Sequence, residues 1–188
     1  KIFDKFQNGN LIDKYKGEIV LSNMMRFILL ITITFTISGF GMNNISAEPD
    51  QASKVIVKGR EVPEFELKVI DNAEPLTKGK LIGKVYLLDF WMTRCKKCVE
   101  KMPFLHDIFE KYKDKNFVII SISADSSYEA VEDFRKGPWK MPWLHCSGVD
   151  GENRRIMTMF EVTKLPMLVL VDGEGKILCT NYETDELG

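Results

Sequence analysis

Cys95 and Cys98 stand three residues apart, with Lys96 and Lys97 between them. At the start of a helix, that spacing brings two Cα atoms to ~5–6 Å, within reach of a disulfide. The helix N-terminus also offers unpaired N–H groups and partial positive charge to the first sulfur. Both lower the thiol pKa, and the thiolate is the nucleophile. Cys95 is therefore the candidate nucleophile and Cys98 the candidate resolving thiol. A CxxC pair is also half of a zinc site, and His145 and Cys146 would complete a four-ligand set. A copper-binding module is a related reading. The remaining thiols, Cys146 and Cys179, are open to two readings: a second disulfide in an oxidising compartment, or two separate buried thiols.

The motif needs a strand to deliver it and a helix to hold it, and the pattern supplies both. Val85–Phe90 is a short apolar run of the kind expected of a buried central strand. Lys96–Tyr112 places Val99, Met102, Leu105, Ile108, Phe109 and Tyr112 at helical spacings, with Pro103 expected to kink the helix. Phe117–Ser123 reads as a second buried strand, Tyr128–Arg135 and Arg154–Phe160 as helices, and Gly137–Trp143 as turns. Met167–Val171 and Lys176–Thr180 flank Asp172-Gly173-Glu174-Gly175, a hairpin signal. Phe65–Ile70 reads as a first strand. Strand–helix–strand followed by a hairpin implies an α/β fold, with a central mixed β-sheet flanked by helices.

Apolar residues make up 45% of the 188 and charged residues 28%, as in an ordinary globular protein. The formal net charge of −1 gives no basis for a nucleic-acid partner. Phe27–Phe40 is an uncharged run too short for a membrane span, with Arg26 as its positive flank. Residues 24–47 thus read as a signal peptide cleaved after Ala47, with an uncleaved membrane anchor as the alternative. Residues 1–23 then lie upstream of the true start, 48–60 form a polar linker, and 61–188 form the domain. Thr184, followed by acids, looks like the start of a further helix, so a longer native C-terminus is expected.

Beyond the CxxC, several segments resemble the thioredoxin superfamily, and within it the exported TlpA/ResA-type, redoxin-like branch. Asp89-Phe90-Trp91 is similar to that family's strand-end acid and aromatic pair, and Met102-Pro103 to its helix-kinking proline. Phe160–Pro166 is similar to the segment ending in a cis-proline that faces the dithiol. Val62–Leu67 is similar to an extra N-terminal strand. The resemblance implies a thiol–disulfide oxidoreductase in the periplasm or cell envelope that works without a bound cofactor or metal. Its partners would be exported protein thiols or disulfides, as in cytochrome c maturation, with a membrane or periplasmic electron donor. Asp89 would be a buried acid that moves a proton to or from Cys98, and Pro166 would hold the substrate-facing loop. Two residues depart from the family pattern: Arg94 where Trp is usual, and Lys97 where Pro is usual. The related peroxidase reading fails on its own motif, because Thr93 lies only two residues before Cys95. Trp91 is expected to pack and His106 to sit at the rim.

Overall fold

The computed structural model describes residues 58–147 and 151–180. The run Phe27–Phe40, the cleavage site after Ala47 and the helix expected from Thr184 lie outside them. No helix among the described residues is long and apolar enough to cross a membrane.

Chain order is β1 (Glu66–Leu67), β2 (Leu76–Thr77), a 3-10 turn (Lys78–Leu81), β3 (Val85–Trp91), α1 (Lys96–Glu100), α2 (Met102–Tyr112) and β4 (Phe117–Ser123). It continues with α3 (Tyr128–Lys136), β5 (Leu144–Ser147), α4 (Gly151–Met159), β6 (Met167–Val171) and β7 (Ile177–Thr180). Five strands form one sheet in the order β5-β4-β3-β6-β7. β4 runs parallel to both β3 and β5, while β6 is antiparallel to both β3 and β7. The sheet is mixed, as the strand–helix–strand and hairpin pattern predicts. The terminal hairpin closes through Asp172, whose Oδ1 accepts from the Glu174 and Lys176 amides at 2.9 and 2.8 Å. Gly175 sits in that turn at φ +85°, where a side chain would be strained.

Every residue of β3 is buried, because both sheet faces are covered. Alternation then divides its side chains. Val85, Leu87 and Trp91 face a cluster containing Cys98, Met102, Leu105, Ile108 and Tyr112 of the helical layer. Tyr86, Leu88 and Phe90 face a second cluster, with Leu67, Leu76 and Leu81 from the N-terminal segment and Ile156 from α4.

Three elements depart from the sequence pattern. The helix expected over Lys96–Tyr112 breaks at Lys101 into two helices. Pro103 has no N–H to offer the Val99 carbonyl, and its ring would clash there, so α2 starts afresh with the proline in its first turn. The first strand shrinks from Phe65–Ile70 to Glu66–Leu67, and it pairs with β2 in a separate two-stranded sheet. The extra N-terminal strand therefore lies outside the central sheet, and the residues flanking it touch that sheet's margins through isolated bridges at Val69–Cys146 and Glu61–Lys176. β5 was not expected, since its four residues follow a proline-rich turn and lack a run long enough to signal a strand.

The structure also decides between the two readings of the spare thiols. Cys146 pairs with Ile122 at one end of the sheet, and Cys179 with Leu170 at the other. Four strand intervals of ~4.8 Å separate them, and they belong to opposite faces. A disulfide spans less than ~7 Å between Cα atoms, so the second bridge is excluded and both cysteines are buried thiols. Burial pushes the Cys146 thiol up to about 12, which makes it inert.

Candidate active site

The loop 92–95 leaves the C-terminal end of β3 and delivers Cys95 to the N-cap of α1. Cys95 and Cys98 are joined by a disulfide with their Cα atoms 5.2 Å apart. The two sulfurs are not equivalent. Cys95 is half-buried, whereas Cys98 is 1% exposed and packs in the core. The Cys98 amide donates to Cys95 Sγ at 3.2 Å. A backbone donor is thus already aimed at the sulfur that would carry negative charge once the bond is reduced.

The approach to Cys95 is held by a carboxylate that sequence reasoning missed. Asp125, just beyond β4, accepts from the Thr93 amide at 2.9 Å and from Thr93 Oγ1 at 2.8 Å. Ser123 Oγ also donates to Asp125, at 2.7 Å. Both Asp125 oxygens are therefore occupied, and the loop two residues before the nucleophile is tied to the end of the neighbouring parallel strand. A faint signal existed: Phe117–Ser123 reads as apolar except at Ser121 and Ser123, which alternate onto one face.

That face carries a polar row. Cross-strand register aligns Leu168, Asp89, Ser121 and His145 across β6, β3, β4 and β5. Asp89, placed as a candidate from sequence, is 2% exposed and on the same side of the sheet as Cys98. Its alternative as a water-facing strand-end residue does not hold. Ser121 Oγ donates to Asp89 Oδ2 at 2.7 Å, and Trp143 Nε1 donates to Ser121 Oγ at 2.8 Å. Burial pushes the Asp89 carboxyl up to about 7, and the Ser121 hydrogen bond pulls it part of the way back. Ser121→Ala should therefore raise the Asp89 pKa further. Following the carboxyl band by infrared spectroscopy across pH checks this; an unchanged or lowered midpoint would contradict it.

His145 closes the row. Its Nε2 lies 2.8 Å from the Met141 carbonyl, which can only accept, so Nε2 carries the proton. Nδ1 is a buried acceptor with no partner among the described residues. Burial pushes this histidine down to about 4, so it is neutral at pH 7. Met141 itself sits at φ +44°, an unfavourable conformation for a buried side chain with a Cβ. His106, expected at the rim, is half-buried beside Trp139 and Trp143, with ring centroids 5.7 and 5.0 Å away. Trp91 packs in the core against Phe134, as expected.

Leu165–Pro166 is a cis peptide immediately before β6. Met167 pairs with Phe90, so Pro166 reaches the same end of the sheet as the loop carrying Cys95. The four residues that would make a zinc site are not gathered. Cys146 faces the opposite cluster from Cys98, and no group of three or more candidate ligands occurs among the described residues.

Residues 83–177 match the family model described as thioredoxin-like. A Bacillus cereus protein named thiol-disulfide oxidoreductase ResA is 33% identical over 121 residues, covering 64% of this chain and 66% of the relative. The Bacillus subtilis protein of the same name is 24% identical over 165 residues, 88% of this chain and 85% of that one. Among solved structures, the thioredoxin domain of a thiol-disulfide oxidoreductase from Bacteroides vulgatus superposes with a TM-score of 0.61 at 24% identity. It covers 70% of this chain and 97% of its own. A thiol-disulfide oxidoreductase from Bacteroides fragilis gives 0.58 at 25% identity, covering 69% and 100%.

Proposed function

Since this chain belongs to the thioredoxin-like family, we propose that it is a thiol–disulfide oxidoreductase working through Cys95 and Cys98. The observation that carries the reading is the asymmetric pair: one sulfur at a helix N-cap and partly open, the other buried one turn on. In the reducing direction, the Cys95 thiolate attacks one sulfur of a substrate disulfide and the other sulfur leaves as a thiolate. Cys98 then loses its proton and attacks Cys95 Sγ, which releases the substrate as a dithiol and closes the Cys95–Cys98 bond. Asp89 is the proton acceptor for Cys98, since a carboxyl poised near 7 exchanges protons readily at neutral pH. Pro166 borders the face on which the substrate lies. The signal-peptide reading of residues 24–47 supports a place in the periplasm or cell envelope, with exported proteins as substrates.

The direct test is reduction of a protein disulfide by the purified dithiol form, followed by turbidity or thiol release. No acceleration over free dithiothreitol would sink the reading.

The redox potential should lie above the thioredoxin value of about −270 mV by tens of millivolts. Exposed Arg94, Lys96 and Lys97 surround Cys95 and stabilise its thiolate, and hence the reduced form. Solvent screening holds each to a few tenths of a kcal/mol up to ~1, and ~1.4 kcal/mol corresponds to about 30 mV. Equilibration against a glutathione series, read by Cys95 alkylation, measures it. A potential at or below that of thioredoxin would refute the expectation.

A further inference from the structure

We propose that the surface around Cys95 selects acidic partners: protein segments in which carboxylates flank the reacting cysteine or disulfide. This rests on the dithiol reading above and adds the chemistry of the substrate.

The charge around the motif is lopsided. Residues 92–101 hold Arg94, Lys96, Lys97 and Lys101 against a single carboxylate, Glu100, in a chain whose formal net charge is −1. All four cations are exposed. Elsewhere on the described domain, several cations are matched by carboxylates: Lys78 with Glu61 and Glu64, Lys80 with Glu74, Arg135 with Asp71, Lys176 with Glu174. None of the four beside the motif forms an ion pair among the described residues. Asp125, bonded to Thr93 just before the motif, has both oxygens taken by Thr93 and Ser123 and forms no ion pair with them among the described residues.

The second side of the site adds no opposing excess. Lys164 is exposed two residues before Pro166, with Glu161 the nearest acid in that segment. Pro166 and the loop carrying Cys95 share one end of the sheet, and the positive excess there comes from the motif itself, Arg94, Lys96, Lys97 and Lys101. A net positive field there raises the local concentration of anionic segments and speeds their encounter. A basic segment meets like charge at the same place. The chemical step is the one above: two electrons and two protons pass from the Cys95–Cys98 dithiol to the partner disulfide, in a single stoichiometric turnover.

The test uses the reduced full chain and two disulfide-linked peptides of equal length, one with aspartates flanking each cysteine and one with lysines. Hydroxyethyl disulfide, which is small and uncharged, reports reactivity without charge recognition. The acidic peptide should react at least ~10-fold faster than the basic one at low ionic strength, and the ratio should fall towards unity at ~0.5 M salt, where the Debye length is only a few Å. Lys97→Glu with Lys101→Glu should shrink or invert the ratio; taking a ratio cancels any change in the intrinsic reactivity of Cys95. Equal rates for the two peptides at low salt, with hydroxyethyl disulfide still reacting, would overturn the acidic-partner proposal and leave the dithiol reading standing. A ratio that ignores salt would overturn it as well. No reaction with any of the three disulfides would overturn both.

Discussion

Cys95→Ser should abolish disulfide exchange, whereas Cys98→Ser should leave attack intact and accumulate a covalent mixed disulfide with the partner. The asymmetry follows from position. Cys95 is the partly open sulfur at the N-cap, with the Cys98 amide donating to it, so it alone can meet a partner sulfur. Cys98 is buried and can reach only Cys95, so losing it removes resolution but not attack. A serine hydroxyl at position 95 cannot replace a thiolate, because its pKa is far too high. Activity should fall to the background rate for Cys95→Ser, a loss of orders of magnitude. Non-reducing electrophoresis and intact mass measure the adduct on Cys98→Ser. A metal-binding role would treat the cysteines alike, with both variants losing the metal and neither trapping a partner. Near-full activity in Cys95→Ser would remove the assignment.

Oxidised protein should show opposite stability–pH slopes once Asp89 or His145 is removed. Asp89 has its folded pKa raised from 3.8 to about 7, so the folded state holds a proton that the unfolded chain has given up. Its contribution is complete below the unfolded value and is lost as pH rises through about 7. At 1.36 kcal/mol per unit, that is on the order of 4 kcal/mol. His145 is shifted the other way, from 6.5 to about 4, so the unfolded chain takes up a proton that the folded state refuses. Its effect is a stability that rises with pH from about 4 to 6.5, on the order of 3 kcal/mol. The two nearly cancel over that window, leaving the parent protein almost flat there before a decline towards pH 7. Asp89→Asn should uncover the rising histidine slope, and His145→Gln the falling aspartate slope. Urea midpoints at several pH values between 4 and 7.5, with the disulfide intact, read both. If Asp89→Asn kept the parent profile, the carboxyl would not be the buried, proton-holding group described here.

Local pattern carried much of the molecule. Phe117–Ser123 and Met167–Val171 are strands with the bounds their apolar runs imply, since a strand buried on both faces needs an uninterrupted run and little else. The hairpin at Asp172–Gly175 was equally legible, because turn chemistry is local. The CxxC at a strand-to-helix junction was legible too: spacing and helix position alone place two sulfurs within bonding distance. β5 was not, because a four-residue edge strand is held by the partner it pairs with rather than by its own composition.

The sequence by itself determined which residues can do chemistry here, and which strand and helix carry them. Sulfur reactivity, helix starts and apolar periodicity all act within a few residues along the chain. Only the tertiary structure decided what surrounds them. Register across three strands lined Asp89 up with Ser121 and His145, a relation between positions 32 and 24 residues apart in the chain. Packing of the helical layer over that row excluded water, and this turned an ordinary carboxyl into one poised near 7 and an ordinary histidine into a neutral one. The sheet order sent Cys146 and Cys179 to opposite edges and the pleat to opposite faces, which keeps them apart as free thiols. Burial and strand order are properties of the assembled sheet, and no single segment contains them.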